Sequence, residues 1–489
     1  MNWRGTAAAA TVLLVGASGV SHFVDPDIWH SMSLARETLA LGRVPLDDSF
    51  AYTPTVSPVV HHEWLWGMLL YGLGLHGGIA ALQALRVVLL VALVALIVWA
   101  ARERGTPASA LVGFAAPALP LLWTAFTAVR AQVATLVLTA VWLVFIEADR
   151  RGSRRWIVPA LVLHFLWLNL HAGFVVGMGL LGVHAAEQAV RRRPAAHVVA
   201  VLVAMAALTL ATPYGAAYPR YLAAALTMPR GLIPEWGPVT SAPPVVAASY
   251  WMSVLLATCA LAAVGPRRAQ GAALLVVTAY LGARHLRHVS IYALVWLTQV
   301  PGLLGGTGAG KALARIWARP LRAPGLAACG FLLAVGAATF VVAQPWRLGV
   351  PGGFSPKHPA YPVGAVDDLA ARGIRGNLLV PFEAGAYVSW RLHPAVRVSI
   401  DGRFEAAYAP DLLAEHLAFY AAAPGWEDTL TRYPTDLILA PRRAAVVGRL
   451  DALAAWARAY EDDDWVVFAR RDAGLQLVSL RGVRDGTFP

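Results

Sequence analysis

The sequence predicts a polytopic α-helical membrane protein, with about 11 transmembrane helices, that ends in a small soluble α/β domain. Of its 489 residues 58% are hydrophobic and 14% are charged, with a mean hydropathy of +0.57. Soluble domains are about 45–50% apolar and about 25% charged. Apolar runs long enough to cross a bilayer recur through residues 1–343. Residues 344–489 instead alternate short strand-like and helix-like segments, so we expect two domains with this boundary.

The apolar runs define the membrane spans. A spanning helix needs roughly 17–25 mostly apolar residues. The candidate spans are 6–24, 79–101, 107–124, 127–147, 156–170, 172–190, 197–213, 248–264, 269–284, 287–306 and 324–343. Residues 7–20 also resemble a signal peptide, but the run that reaches Phe23 is long enough to span, so we expect an uncleaved first helix.

Arginine clusters between the spans set the orientation. Basic residues follow every second span, at 102–104, 150–155, 191–193, 267–268 and 311–322. Since cytoplasmic loops carry the excess of basic residues, these loops and the N-terminus are predicted to be cytoplasmic, and the tail lies outside. Segment 63–76 must then be interfacial. The net charge of +12 is explained by this orientation, and no nucleic acid partner is expected.

This orientation places the unusual polar residues on one side of the membrane. The outer side receives Asp25, Asp27, His30, His61, His62, Glu63, Arg130, Asn169, His171, Glu235, Trp236, Arg284, His285, Arg287 and His288. Ionisable groups at membrane depth are costly, and they usually line a cavity or a site. The convergence of several separate segments therefore predicts an outward-facing site. The two cysteines both lie in apolar runs, so no disulfide framework is indicated.

The first outer loop begins "VDPDIWHSMSLARETLALG" at residue 24. Its apolar residues at 28, 32, 35 and 39 form one stripe of a helix, which predicts a helix lying flat in the interface. Asp27 is a plausible N-cap, with Pro26 stiffening the entry, whereas Asp25 is harder to explain as a cap. Two carboxylates beside His30 also suit a general base or a cation ligand, so capping and chemistry both stay open for Asp27.

The tail reads as a layered α/β domain. Strands are predicted at 377–382, 396–400, 435–440 and 464–470, and helices at 362–373, 410–420, 425–432 and 443–458. It has no phosphate-binding glycine loop and no nucleophile elbow, so we expect an accessory domain that covers the membrane site. Its "FEAGAY" (382–387) and "DGRF" (401–404) stretches either face that site or supply turn and cap residues.

The stretch "DPDIWHSMSLARETLALGRVPLDDSFAYT", together with "HHEW" at 61–64, resembles the first outer loop of the GT-C glycosyltransferase superfamily. The likeness rests on acidic residues just after the first span, a flat helix ending in "ALG" and a second interfacial helix opened by "HHEW". It extends in layout over residues 1–345 and in motifs mainly over the first outer loop, 25–78. The closest likeness is to bacterial members with an outer α/β tail.

The resemblance implies a GT-C fold in the bacterial inner (cytoplasmic) membrane and a sugar donor linked to polyprenyl phosphate. It also implies that a first-loop aspartate, Asp27 or Asp25, is the catalytic base or, as in oligosaccharyltransferases, a metal ligand. The sequence departs from oligosaccharyltransferases because it has no second acidic pair in a later outer loop and no WWDYG-like stretch. A divalent metal is therefore possible but not implied, and no cofactor is certain.

The basic residues of the outer side suit a departing phosphate. Arg284, His285, Arg287 and His288 form a dense cationic group next to the membrane, with Arg130 as a second candidate. The alternative for this group is a helix end that snorkels to the interface.

Other outer residues are candidates for contact with the acceptor or the sugar. His62 and Glu63 either position the acceptor, as His30 would, or cap a helix. Asn169 and His171 either contact ligand or form a satisfied polar turn. Glu235 and Trp236 suit sugar stacking, although interfacial tryptophan is common.

Together these features predict a membrane glycosyltransferase. It would transfer a sugar from a polyprenyl-phosphate donor to an extracytoplasmic glycan, lipid or protein acceptor, with the inversion that the superfamily implies. The alternative is a lipid-linked saccharide transporter or a non-catalytic lipid- or saccharide-binding membrane protein. A transporter would be expected to carry polar residues on both sides, often with internal repeats, and the sequence shows neither pattern.

Overall fold

The computed structural model describes residues 22–123, 129–228, 233–265, 268–319, 323–344, 346–355 and 358–489. Most of the predicted first span, 6–24, lies outside these residues. The chain divides into two compact units. We call the described parts of 84–212 and 227–347 the helical unit, and those of 22–83, 213–226 and 348–489 the α/β unit.

The helices up to residue 343 follow the apolar runs. In order they are α1 (Pro26–Leu41), α2 (Trp64–Glu103), α3 (Ala108–Phe114), α4 (Leu119–Trp123), α5 (Ala131–Arg150), α6 (Ile157–Leu170), α7 (Phe174–Val190), α8 (Ala196–Leu208), α9 (Ala217–Thr227), α10 (Pro244–Val264), α11 (Ala272–Arg284), α12 (Val289–Gly305), α13 (Gly308–Ala318) and α14 (Ala323–Ala343).

Most of the predicted spans are confirmed as helices within a few residues, and the exceptions have local causes. The predicted span 107–124 is wrong as one helix, since α3 and α4 are separated near Pro117 and Pro120, and proline removes a backbone donor. In α2 the backbone breaks at Gly78, with φ of 54°, a conformation that glycine adopts without a steric penalty. This break separates segment 63–76 from the span 79–101, as the sequence predicted.

Among the described residues four helices, α2, α5, α10 and α14, are long and apolar enough to cross a membrane. The count rises to five if α12 and α13, which are sharply bent against each other, are one broken span. Helices α6, α7, α8 and α11 are apolar but shorter. The total of about 11 spans thus stays a prediction.

The helical unit contains buried charges that pair with one another. Glu147 accepts hydrogen bonds from Arg104 at 2.7 Å and from Arg150 at 2.5 Å. Glu187 pairs with Arg150 and Arg191 and accepts the N–H of Gly271 at 2.7 Å. A buried charge is strongly destabilising when its partner is missing. Several of the arginines that set the predicted orientation therefore also hold these helices together.

The α/β unit is built on a six-stranded mixed sheet with the order β2-β1-β3-β5-β4-β6. Its strands are β1 (Gly376–Leu379), β2 (Val396–Val398), β3 (Leu437–Pro441), β4 (Trp456–Glu461), β5 (Trp465–Arg470) and β6 (Val478–Ser479). Its helices are α15 (Val363–Ala371), α16 (Phe382–Leu392), α17 (Pro410–Tyr420), α18 (Asp428–Arg432) and α19 (Ala445–Ala452). Strand β1 runs parallel to β2 and β3, whereas β5 is antiparallel to β3 and β4.

The four predicted strands are confirmed, but two elements differ from the prediction. The predicted helix 443–458 stops at Ala452, and β4 takes its last residues. A register shift between Arg458 and Tyr460 interrupts the pairing of β4, which weakens the alternation that marks a strand. The "FEAGAY" stretch opens helix α16 instead of forming only a turn.

The first outer loop and the tail fold together in the α/β unit. Ala51 forms a parallel bridge with Val398 of β2, and the N–H of Tyr52 donates to the carbonyl of Val398 at 3.0 Å. Trp29 of α1 is fully buried and makes edge contacts with Tyr361 and Tyr387. Aromatic side chains of this size contribute much of the apolar area of a core, so α1 is fixed against the tail by packing.

Candidate active site

Helix α1 begins at Pro26, two residues earlier than a helix capped by Asp27 would begin. The carboxylate of Asp25 accepts the main-chain N–H of Asp27 at 3.0 Å, and Asp25 is the N-cap. Of the two interpretations that the sequence left open for Asp27, the one that makes it the helix cap is therefore wrong. Proline suits the first helical position because its missing N–H has no partner there, so Pro26 begins the helix and the cap is the residue before it. Asp27 lies in the first turn.

The side chain of Asp27 lies next to the loop that follows β2. A β-carbon added at Gly402 would be 3.3 Å from Oδ1 of Asp27 and 3.7 Å from Nδ1 of His30. These two atoms are therefore at most 7.0 Å apart. The "DGRF" stretch thus faces the predicted base, which was one of the two interpretations that the sequence left open.

A buried ion cluster holds this loop. The guanidinium of Arg403 donates to both carboxylate oxygens of Asp401, at 2.7 to 3.0 Å, and pairs with Asp48 of the first outer loop. All three side chains are at most 3% exposed. Burial alone would raise the pKa of Asp401, but the Arg403 cation holds that pKa below its ordinary value. Bidentate pairs of this kind fix geometry as well as charge.

Two histidines beside the cluster have unsatisfied ring nitrogens. Nδ1 of His30 and Nε2 of His61 are buried and have no hydrogen-bond partner among the described residues. Burial lowers the pKa of His30 against the opposing attraction of Asp401, and burial together with Arg403 lowers that of His61 further. Both rings are therefore neutral at pH 7. Unsatisfied buried polar atoms are rare and often mark a functional position.

His62 and Glu63 lie at the start of α2. Nε2 of His62 is 3.4 Å from a carboxylate oxygen of Glu63, and its Nδ1 is 3.0 Å from the hydroxyl of Tyr221. The ring of His62 stacks on that of Tyr221, and Tyr214 donates to the carbonyl of His61 at 3.2 Å. Imidazole and carboxylate are both ligands for divalent cations, so this pair offers two of the ligands that a metal would need.

The predicted phosphate and sugar residues of the helical unit lie together. Nδ1 of His285 is 2.8 Å from the carbonyl of Trp236. The guanidinium of Arg287 lies 5.5 Å from the centre of the Trp236 ring, and the rings of His285 and His288 meet that ring edge-on. A cation within about 6 Å of a tryptophan face is attracted to it. Cationic and aromatic groups are thus combined at one place.

The two remaining arginines of this group differ from each other. Arg130 is paired with Glu235, with 2.9 Å between the guanidinium nitrogen and the carboxylate oxygen. Arg284 is exposed and forms no hydrogen bond or ion pair with the residues that the structure describes. Arg130 thus has its charge balanced within the unit, and Arg284 is the cation available to an outside anion.

Asn169 and His171 form the polar turn between α6 and α7. Asn169 donates to the carbonyl of Phe165 at 2.8 Å. Nδ1 of His171 accepts the N–H of Gly173 at 2.9 Å and lies 2.7 Å from the hydroxyl of Thr135. A nitrogen that accepts a backbone N–H carries no proton, so in the neutral ring the proton is on Nε2. Both side chains therefore form hydrogen bonds that stabilise this turn.

Sequence reasoning missed the residues that hold the site residues. Tyr221 contacts His62 and Thr135 contacts His171, while Asp48 pairs with Arg403 beside Gly402. None of the three was selected. The one available signal was the acidic pair at 47–48 within the quoted first-loop stretch. Tyrosine and threonine in loops and apolar helices carry no comparable signal.

Several solved structures have folds similar to that of this chain. An oligosaccharyltransferase from Archaeoglobus fulgidus matches with a TM-score of 0.57 and 11% identity over 90% of this chain and 69% of that one. The arabinofuranosyltransferase AftD from Mycobacteria matches with 0.55 and 16% over 96% of this chain, which spans 40% of AftD. ArnT from Cupriavidus metallidurans, bound to undecaprenyl phosphate, matches with 0.51 and 15% over 95% of this chain and 97% of that one.

The chain therefore has the fold of the GT-C glycosyltransferases, as the first outer loop predicted. At these identities the similarity shows the fold alone. No model of a protein family matches the sequence, and no curated protein matches it either.

Proposed function

We propose that this chain is a membrane glycosyltransferase in which Asp27 is the general base. The observation that carries the proposal is the division of roles at the start of α1. Asp25 caps the helix, while the carboxylate of Asp27 lies beside His30 at the loop of Gly402. A carboxylate near a neutral imidazole is suited to accept a proton from a hydroxyl.

The proposed reaction is a single displacement. The acceptor oxygen attacks the anomeric carbon of the sugar as Asp27 takes its proton, and the bond from that carbon to the phosphate oxygen breaks. The electron pair leaves on the polyprenyl phosphate, and one displacement inverts the anomeric centre. The extra negative charge on the leaving phosphate needs cations at that end of the donor.

The donor end is assigned to the helical unit. Arg284 and Arg287 are proposed to bind the phosphate, with His288 donating a hydrogen bond and Trp236 stacking on the sugar. His285 is proposed to donate from Nε2 when its ring is doubly protonated, because Nδ1 already donates to the carbonyl of Trp236. Arg130 is proposed to join them when the phosphate competes with Glu235. The pairing of Arg287 with Trp236 supports this assignment because it combines a phosphate ligand with an apolar ring.

The proposed setting is the bacterial cytoplasmic membrane. The N-terminus would be cytoplasmic and the residues from 344 onward extracytoplasmic, with about 11 spans between them. A polyprenyl-phosphate donor is supported by the similarity of this fold to ArnT, whose solved structure holds undecaprenyl phosphate. His62, Glu63, Asn169 and His171 are proposed to contact the acceptor or the sugar.

Reconstitution tests the proposal. The purified chain in lipid vesicles would be supplied with radiolabelled polyprenyl-phosphate hexoses and pentoses and a panel of glycan, lipid and peptide acceptors. We expect covalent transfer that Asp27→Asn abolishes while donor binding is retained. Asp47→Asn is the matched control, because Asp47 is an exposed carboxylate of the first outer loop that accepts a hydrogen bond from the hydroxyl of Ser57. Transfer that survives in Asp27→Asn would remove the base, and donor movement across the vesicle without transfer would favour a transporter.

A further inference from the structure

We infer that Gly402, in the C-terminal part of the chain, is a specificity-determining residue that leaves space for the acceptor hydroxyl beside Asp27. The inference rests on the proposed function. It gives a residue of the tail a direct role in acceptor binding, whereas the sequence predicted only an accessory domain. It makes the tail a wall of the acceptor subsite.

The geometry gives the reason. A proton moves to a carboxylate only when the hydroxyl oxygen approaches within about 2.6–3.2 Å. The place where a side chain would begin at Gly402 is 3.3 Å from the carboxylate oxygen of Asp27. A methyl group at Gly402 and the hydroxyl of an acceptor would therefore compete for the same space. Glycine is the residue that leaves this space open.

The backbone itself does not demand glycine. Gly402 is absent from the glycines with positive φ, so its conformation admits an ordinary side chain. At 3.3 and 3.7 Å the added carbon would touch two side-chain atoms, Oδ1 of Asp27 and Nδ1 of His30, and no backbone atom. An alanine at Gly402 would need the Asp27 side chain to give way by a few tenths of an ångström, since 3.3 Å is a tight contact for a β-carbon. The substitution therefore acts directly on the space beside the Asp27 carboxylate.

The loop is held in place by charge. Asp401 and Arg403, the neighbours of Gly402, form the buried pair that also includes Asp48. On the opposite side Gly385 of α16 packs so closely on the carbonyl of Ile400 that a β-carbon would clash. The ion pairs of Asp401 and Arg403 and the contact of Gly385 with Ile400 hold the loop that carries Gly402 in place. A residue that determines acceptor specificity needs such rigid support.

The ring of His30 also indicates that the acceptor group bound here is polar. Nδ1 of His30, which faces Gly402, is buried and has no hydrogen-bond partner among the described residues. A sugar acceptor with neighbouring hydroxyl groups would provide the hydrogen-bond partner that Nδ1 of His30 lacks. The ligand class is therefore a hydroxylated acceptor, with one oxygen at Asp27 and a second at His30.

The experiment compares a size series with a matched glycine. The Gly402→Ala and Gly402→Val variants of the chain would be reconstituted with the labelled donor and with the acceptor that the panel described above identifies. Transfer to that acceptor and the release of free labelled sugar by water would both be measured. Gly448→Ala is the control, since Gly448 is exposed in α19 and an added carbon there meets nothing within 4 Å. Thermal unfolding verifies that each variant folds.

We expect the acceptor KM to rise about tenfold or more in Gly402→Ala, the range for one methylene in a pocket, and further in Gly402→Val. The donor KM and the hydrolysis by water should stay at native values, because water is small enough for the narrowed gap. Native transfer in both variants would overturn the inference, as would equal losses of transfer and hydrolysis, which mark a structural effect. If Gly402→Val does not fold, Gly402→Ala decides alone.

Failure of the proposed function gives a different result. If Asp27→Asn abolishes transfer but the Gly402 variants behave as native, only the specificity role falls. If Asp27→Asn transfers normally, or the native chain transfers no labelled sugar, the base assignment is wrong and the role of Gly402 falls with it.

Discussion

The carboxylate of Asp25 accepts a hydrogen bond from the main-chain N–H of Asp27, with 3.0 Å between oxygen and nitrogen. This contact distinguishes the two aspartates that the sequence offered as alternatives for the catalytic base. Asp25 is 4% exposed and satisfies the start of α1. The same start places Asp27 one turn before Ser31, whose hydroxyl donates to the carbonyl of Asp27, so the backbone of Asp27 is fixed while its side chain faces the loop of Gly402.

Asp25 should therefore be important for stability and not for chemistry. Asp25→Ala removes an N-cap, which costs about 1 kcal/mol, and should lower the free energy of unfolding by that order. Asp25→Asn keeps a good cap and should retain both stability and most of the transfer activity. Denaturation of the two variants, beside their transfer rates, measures this. Complete loss of transfer in a stable Asp25→Asn would contradict it.

Asp27 should show the reverse pattern. Asp27→Asn keeps the size of the side chain but cannot accept a proton, so kcat should fall by about 10²- to 10⁴-fold, the usual contribution of a general base. The unfolding midpoint and the dissociation constant for the donor should change little. Single-turnover kinetics and donor binding on the same preparation separate these effects. A variant that binds donor weakly and keeps its kcat would show that Asp27 acts in binding instead.

The helix positions were predictable because burial in a membrane requires long apolar runs. The prediction failed where prolines interrupt such a run, near Pro117 and Pro120, since composition alone does not register the lost backbone donors. It failed again at β4, where the register shift at 458–460 hides the alternation of a strand. The pairing of Ala51 with Val398 was out of reach, because it joins segments far apart in the chain.

The sequence allowed candidate site residues to be selected by type, but it did not determine the contacts that each of them makes. Asp27 and the basic group around Arg287 were selected because charges near a membrane are costly. Capping stayed open for Asp27 because the helical stripe starts at Ile28. The structure begins the helix at Pro26, so the cap is Asp25. The interaction of Asp48 with Arg403 was not predictable, since an acidic pair in a loop usually faces solvent and only the folded α/β unit brings the two together.

Removal of the cations should weaken donor binding. Arg284→Gln and Arg287→Gln should each raise the donor KM by about tenfold, because a charge-assisted hydrogen bond contributes about 1.5–3 kcal/mol. The acceptor KM should not change. Arg155→Gln is the control, since Arg155 is an exposed arginine of the same unit outside the predicted phosphate group. Donor KM values that match in all three variants would remove the phosphate assignment.

Acid should destabilise the chain through its buried histidines. His30 and His61 have pKa values below the ordinary 6.5 because they are buried. Their surroundings are Arg403, Asp401 and His62, with Glu63 also acting on His30. The unfolded chain therefore binds more protons below pH 6.5 than the folded chain does. Stability from these groups is complete above that pH and is lost as the pH falls below it.

The measurement is the unfolding midpoint between pH 5 and pH 8. The native midpoint should fall as the pH drops below about 6.5, the ordinary histidine value. A His30→Gln, His61→Gln double variant should reduce this slope, whereas His76→Gln, at an exposed position, should leave it unchanged. Equal slopes in all the proteins would show that other groups control the acid response.

Substitution of Arg403 in the buried ion cluster should strongly destabilise the α/β unit. Arg403→Met leaves Asp48 and Asp401 buried without a cation, and loss of one partner of a buried pair costs about 3–5 kcal/mol. The matched control is Arg432→Met, because Arg432 is 57% exposed and pairs with Glu415 at 3.1 Å. An exposed pair contributes little to stability, because solvent screens it. Chemical denaturation should show a loss in the free energy of unfolding that is several-fold larger in Arg403→Met than in Arg432→Met. Similar losses in the two variants would mean that the buried cluster does not stabilise the unit more than an exposed pair does.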